Sequence, residues 1–304
     1  MLAKSTSSPD RPFRTLDTPH GPLVFGGRCL VMGVLNVTPD SFSDAGQCLD
    51  HAAAEARGVA LAADGADVID IGGESSRPGS QPVPAAVQIG RVVPVVRRLR
   101  QAGVSLPISI DTWLAQVAAA ALDAGADLVN DITGVRADRA MPRLLAERGV
   151  PFVVMHMQGT PATMQNAPHY QDVVVEVGAF FDERAAALAA EGVDVGRMIV
   201  DPGVGFGKTL EHNLALLRAA SSFGTGASGL GQRVPSRRPV LVGPSRKRFL
   251  GELLSEPNPA QRLGGTAAAV AYCALCGVDM VRVHDVKAMR QVTEVCHRLG
   301  ANSA

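Results

Sequence analysis

Short β-branched runs alternate eight times with Ala- and Leu-rich stretches, and this alternation restricts the fold more than any other feature of the sequence. The runs span 30–35, 68–71, 108–110, 128–130, 152–155, 198–200, 240–242 and 281–283. Nearly continuous apolar character in so short a run suits a strand covered on both faces, as in a parallel sheet. Between the runs, apolar residues recur at spacings of three and four. In 51–64, Ala52, Ala56, Val59, Ala60 and Ala63 share one helix face, and 116–124 follows the same pattern. Gly65, Gly125, Gly149 and Gly277 each stand just after a helical pattern and just before a strand, where a left-handed residue stops a helix.

Parallel strands joined by right-handed helical crossovers form either an open doubly wound sheet or a closed barrel. Eight strands favour an α/β fold of the (β/α)8 TIM-barrel type. An open dinucleotide-binding sheet would carry GxGxxG after its first strand, and here that strand runs into Asn36-Val37-Thr38-Pro39-Asp40. Residues 1–12 read as a flexible tail and 13–304 as a single domain. Two stretches interrupt the repeat. The segment 13–27, with Pro19 and Pro22, reads as a short N-terminal hairpin closing the barrel bottom. The Gly/Ser-rich stretch 221–238 precedes the seventh strand and reads as a mobile surface loop on the face opposite the usual active side.

Composition removes several function classes. Lys and Arg total 29 against 29 Asp and Glu, so the basic surplus that a nucleic-acid binder needs is missing. The longest apolar run, 267–278, has 12 residues, whereas a bilayer span takes about 20. No membrane partner is expected, and the start of the chain lacks the apolar core of a secretory signal. Five scattered cysteines point to reduced thiols and a cytoplasmic setting. Cys273 and Cys276 form a CxxC, but inside an apolar helical run they read as packing residues.

Barrel enzymes carry their chemistry where strands end and βα loops begin. The eight ends here hold Asn36, Asp70, Asp111, Asn130-Asp131, His156, Asp201, Ser245-Arg246-Lys247, and Arg282 with His284. Any one of these could be a cap or turn residue, and Asp70 and Asp131 are read as readily that way. Eight around one mouth are harder to explain so. Asp111, Asn130 and Asp201 suit a heterocycle that offers paired N–H donors, because a carboxylate accepts two at once. Arg246, Lys247, Arg282 and His284 gather positive charge where barrels often hold phosphate. The loops around VTPDSFSDAGQ and GGESSRPGS read as lids. His156 reads as a satisfied wall histidine, Trp113 as packing beneath the mouth, and Arg97, Arg98 and Arg100 as a solvated helix face. GxSxG, HExxH and zinc-ligand spacings are missing, and Gly203-Val204-Gly205-Phe206-Gly207-Lys208 lacks P-loop spacing, which leaves close backbone approach to a ligand as its role.

In these same places the sequence resembles the dihydropteroate synthase family. The resemblance rests on MGVLNVTPDSFSD (32–44), DIGGESSRPG (70–79), SIDT (109–112), VNDI (129–132), VMHMQGTPATMQ (154–165), DPGVGFGK (201–208), GPSRKRFLG (243–251) and RVHDV (282–286). It implies condensation of 7,8-dihydropterin-6-ylmethyl diphosphate with p-aminobenzoate, with release of pyrophosphate, in a homodimer that uses Mg²⁺. By the motifs it implies that Asp111, Asn130, Asp201 and Lys247 hydrogen-bond the pterin, that Arg282 stacks on it and that Met155 lines its pocket. Asn36 matches the magnesium-linked asparagine. Ser76, Arg77, Arg282 and His284 match positions near the diphosphate, and Phe42, Arg77, Pro78, Phe206 and Lys247 match the surroundings of p-aminobenzoate. Ser76 stands where many members have Thr, which keeps the hydroxyl. Two rival readings share the pterin-recognising trio: a pterin-dependent methyltransferase, and a paralogue that binds pterin without turnover. The first has no use for a diphosphate grip, and the second does not explain intact Asn36, Arg77, Lys247, Arg282 and His284.

Overall fold

All eight runs are strands of one parallel sheet in the computed structural model, which describes residues 13–38, 51–75, 80–225 and 237–301. The chain opens with β1 (Arg14–Leu16) and β2 (Leu23–Phe25), then β3 (Leu30–Asn36), α1 (His51–Ala63), β4 (Val68–Gly72) and α2 (Ala85–Gln101). It continues through β5 (Ile108–Asp111), α3 (Ala115–Asp123), β6 (Leu128–Asp131), α4 (Met141–Arg148), β7 (Phe152–Met155) and α5 (Val173–Ala190). Then come β8 (Met198–Asp201), α6 (Leu210–Arg218), β9 (Leu241–Val242), α7 (Arg248–Leu254), α8 (Leu263–Cys276), β10 (Met280–Val283) and α9 (Val286–Ala301). The order β8-β7-β6-β5-β4-β3-β10-β9, with a parallel bridge from Val200 to Val240, brings the two edges together into a barrel. The helices α4 and α8 end on the left-handed glycines Gly149 and Gly277, where helical stops were expected. No described helix is long and apolar enough to cross a membrane.

Alternation along the strands sorts side chains between two cores. Val31, Leu35, Ile69, Ile71, Ile108 and Ile110 point outward and pack with the helices. Leu30, Met32, Val68, Leu128, Val153, Ile199, Leu241 and Met280 point inward and fill the barrel. The same inner cluster takes Leu16, Leu23 and Phe25 from the antiparallel β1–β2 hairpin, which plugs the bottom as the sequence led us to expect. Each such buried side chain contributes about 1.5–3 kcal/mol, so the hairpin is part of the core.

The bottom rim is pinned by a repeated device. Asp67, Asp127 and Asp279 each precede a strand and accept a backbone N–H from a neighbouring strand, from Val31 (2.8 Å), Ile108 (2.8 Å) and Val240 (2.9 Å). Each also pairs with an arginine, Arg28, Arg100 or Arg237. Arg100 is therefore not on a solvated helix face. Its guanidinium donates to the carbonyls of Gly125, Val104 and Leu106 as well as to Asp127, and these bonds offset its burial. Arg237 sits at the end of the Gly/Ser-rich insert and anchors it to this bottom face, while residues 226–236 of the insert lie outside the described residues.

Candidate active site

Moving up the barrel, the inward positions change from apolar to polar. Strand register sets Asn36 beside Gly72, Gly72 beside Asp111, and Asp111 beside Asn130, so these four stand level on adjacent strands. Met155 and Asp201 pair in the same way on β7 and β8. Gly72 has no side chain to separate its neighbours: a Cβ there would lie 3.6 Å from Asp111 Oδ2 and 3.7 Å from Asn36 Oδ1. The resulting cleft is open to solvent and has roughly 440 Å³ of empty space, its mouth included. Its walls bring together the expected Asp111, Asn130, Met155, Asp201, Phe206, Lys247, Arg282 and His284, and add Ile132, Val204, Gly243 and Ser245.

Arg282 organises the floor. Its Nε donates to Asp70 Oδ2 at 2.6 Å and its NH2 donates to Asp111 Oδ2 at 2.8 Å, while Asn130 Nδ2 donates to the same Asp70 oxygen at 3.1 Å. Asp70 therefore does not cap a turn. It faces into the barrel one level below the site, fully buried, and holds both Arg282 and Asn130. Its hydrogen bond also sets the amide: with Nδ2 committed to Asp70, the Asn130 carbonyl is left as an acceptor for the cleft. Asp131, by contrast, fulfils the turn role, accepting from the backbone and hydroxyl of Thr133 at 2.7 Å each. Burial opposes the Arg282 charge, yet Asp70 and Asp111 outweigh it and raise the guanidinium pKa. Burial pushes the Asp111 carboxyl up to about 7, with Arg282 pulling against it and Asp70 adding to the rise.

The wall opposite is built on a tight glycine turn. Gly203 has φ +67° and presses so closely on β7 that a Cβ would meet the His156 carbonyl oxygen at 1.9 Å. This turn lets the Gly203 N–H donate to Asp201 Oδ1 at 2.7 Å. Burial raises the Asp201 pKa, and the Gly203 N–H, Lys247 and Lys208 oppose that rise. Lys208 is buried behind the turn, with Nζ within 3.1 Å of His156 Nδ1, 3.2 Å of His156 O and 2.8 Å of Phe206 O. Three acceptors match the three protons of an ammonium, so His156 is a satisfied wall histidine as expected. Burial, then the charge of Lys208, lowers its pKa to about 2. Lys247 Nζ lies 3.8 Å from the centre of the Phe206 ring, a cation–π contact at the mouth. Trp113 packs with Ile132, Met155, Met157 and Met164 beneath it.

On β10 and the turn before α7, one expected cation points elsewhere. Arg246 adopts φ +59° and its guanidinium makes a two-point pair with Asp285, at 3.1 and 2.6 Å, outside the cleft lining. Arg262 supports the strained turn by donating to the carbonyls of Arg246 (3.0 Å) and Lys247 (3.2 Å). The positive side of the cleft is thus Lys247 and Arg282, with His284 beside them and Ser245 Oγ 3.0 Å from His284 Nδ1. Burial pushes Lys247 down to about 7, with Asp201 pulling the other way. Phe42, Ser76, Arg77 and Pro78 lie outside the described residues. Asp70 and Ser245 stood among the polar strand ends in the sequence, but their roles were not legible there, because their partners are far away in the chain.

The pterin-binding enzyme family profile matches residues 32–284. A dihydropteroate synthase of Synechocystis sp. is 42% identical over 283 residues, covering 92% of this chain and 94% of that protein. The structure of Xanthomonas albilineans dihydropteroate synthase with 4-aminobenzoic acid superposes with a TM-score of 0.84 at 41% identity, covering 96% of this chain and 100% of that one. The same enzyme in complex with 7,8-dihydropteroate gives a TM-score of 0.80 at 39% identity, again covering 96% and 100%.

Proposed function

Because this chain belongs to the dihydropteroate synthase family of pterin-binding enzymes and is a transferase, we propose that it joins 7,8-dihydropterin-6-ylmethyl diphosphate to p-aminobenzoate. The products are 7,8-dihydropteroate and pyrophosphate. The observation that carries this reading is the division of one cleft into a carboxylate and amide side, Asp111, Asn130 and Asp201, and a cationic side, Lys247 and Arg282 with His284. The solved relatives in complex with 4-aminobenzoic acid and with 7,8-dihydropteroate support it.

The chemistry follows from those residues. Asp111, Asp201 and the Asn130 carbonyl accept N–H bonds from the flat heterocycle and fix its orientation, while Met155 packs on it. The bond between the methylene carbon and the diphosphate oxygen breaks, and the leaving oxygen takes the electron pair. The aromatic amine then forms the new C–N bond and passes one proton to water or to an oxygen of the departing pyrophosphate. Positive charge develops on the methylene, where the ring can delocalise it, so no covalent bond to a side chain is required. Arg282, Lys247 and His284 answer the negative charge on the departing group. Arg77 and Ser76 belong to the same anionic end, and Phe42, Pro78 and Phe206 to the amine, by motif.

Asn36 is the candidate magnesium contact. Its side-chain oxygen lies beside Gly72 at the same level as Asp111, and no cluster of three or more His, Cys, Asp or Glu suited to a metal occurs among the described residues. One neutral oxygen fits Mg²⁺, which keeps several waters and takes most other ligands from phosphate. When bound, the ion would neutralise charge on the leaving group. A homodimer in a cytoplasmic setting belongs to the same proposal.

Purified protein supplied with Mg²⁺, the pterin diphosphate and p-aminobenzoate should release pyrophosphate, and Lys247→Ala should abolish release while leaving the thermal unfolding curve intact. Tight pterin binding with no pyrophosphate from the wild type would instead support the binding paralogue.

A further inference from the structure

Which proton the His284 ring carries follows from counting hydrogen bonds. Ser245 is a largely buried residue of the cleft wall, and its Oγ lies 3.3 Å from the backbone nitrogen of His284 and 3.0 Å from His284 Nδ1. A backbone N–H can only donate, so Oγ accepts there. The hydroxyl has one proton of its own to give, and among the described residues Nδ1 is the only acceptor bonded to it. If Nδ1 carried a proton, Oγ would accept twice and its own proton would have no partner among the described residues, an arrangement that folded proteins avoid at largely buried positions. The hydroxyl therefore donates to Nδ1, which is bare, and the ring's proton is on Nε2. An imidazolium is excluded by the same count. Burial, then the charges of Arg282 and Arg246, lowers the His284 pKa to about 3, in agreement.

The ring is also held in place. Arg57 donates to the His284 carbonyl at 3.1 Å, and the next residue, Asp285, is gripped by Arg246. With Nδ1 turned to Ser245, Nε2 is the nitrogen left to a side chain that lines the cleft beside Lys247 and Arg282.

We propose that Ser245 is a positioning residue that locks His284 as a neutral Nε2–H donor for an oxygen of the phosphate-bearing group. A neutral donor adds a hydrogen bond to an oxyanion without adding repulsion against Arg282 and Lys247 in a buried site. The identity of the anion rests on the reading under Proposed function; the tautomer does not.

The test uses the full chain labelled with ¹⁵N-histidine. Long-range ¹H–¹⁵N spectra, with His284 assigned by its loss in His284→Gln, should show Nδ1 as an unprotonated, pyridine-type nitrogen and Nε2 as proton-bearing. In Ser245→Ala the two nitrogens should move towards a tautomer mixture. In the same variant the affinity for inorganic pyrophosphate with Mg²⁺ should fall roughly tenfold, in line with one hydrogen bond. The loss should appear in kcat/KM for the pterin diphosphate with KM for p-aminobenzoate unchanged, and Ser245→Thr should restore both readouts. A proton on Nδ1 in the wild type overturns the proposal without any variant. So does a Ser245→Ala protein whose tautomer or pyrophosphate affinity matches the wild type. If the wild type releases no pyrophosphate from substrate, yet the spectra and pyrophosphate binding are as expected, the reaction assignment fails and the Ser245–His284 lock stands.

Discussion

Replacing Asp70 with asparagine tests whether the carboxylate beneath the site sets the chemistry above it. One Asp70 oxygen receives both Arg282 and Asn130, and the other is buried with no partner. An asparagine oxygen can keep both contacts, so a bond to a carboxylate becomes a bond to an amide. That change costs about 1 kcal/mol, and the buried NH2 left without an acceptor costs roughly 1–2 more. Arg282 keeps Asp111 at 2.8 Å, so the site should stay assembled. The larger effect is electrostatic. Asp70 is one of the charges that raises the Asp111 pKa towards 7, and removing it lets Asp111 ionise at lower pH. Pterin recognition needs Asp111 as a carboxylate acceptor. In the wild type, therefore, binding should weaken as pH falls through about 7, and in Asp70→Asn that acid limb should move to lower pH. Calorimetric titration with a pterin across pH, beside thermal unfolding, measures both effects. A destabilised variant whose acid limb has not moved would refute the claim that Asp70 acts on Asp111 through its charge.

Three other changes probe the scaffold. Gly203→Ala would force a Cβ to within 1.9 Å of a carbonyl oxygen at φ +67°, and it should destabilise the fold by at least about 3 kcal/mol in thermal unfolding; an unchanged melting temperature would mean the turn relaxes freely. Arg262→Lys cannot reproduce the fork that reaches the carbonyls of Arg246, Lys247, Glu256 and Pro257, so denaturant unfolding should show a loss of roughly 1–3 kcal/mol together with a lower kcat/KM. His156 has a folded pKa lowered from 6.5 to about 2. Its contribution to stability is therefore full above about pH 6.5 and is lost on acidification at about 1.4 kcal/mol per pH unit. Between wild type and His156→Gln, the stability difference should shrink with that slope as pH falls; parallel pH profiles would disprove the assignment.

Local pattern determined the eight strands, the glycine stops and the bottom hairpin, because short apolar runs and helix periodicity are properties of neighbouring residues. It also marked Asn36, Asp111, Asn130 and Asp201 as polar strand ends, since strand ends in a barrel converge wherever the chain between them goes. Tertiary structure alone decided what each polar group is bound to. Asp70 looked like a cap until β10, 212 residues away, brought Arg282 onto it. Arg246 looked like a substrate cation until Asp285 claimed it, and Arg100 looked solvated until its helix placed it against Asp127. Ser245 and His284 gain their meaning only from adjacent strands 39 residues apart. A charged or hydroxyl side chain goes where its buried partners are, and partner distance in space is not written into spacing along the chain.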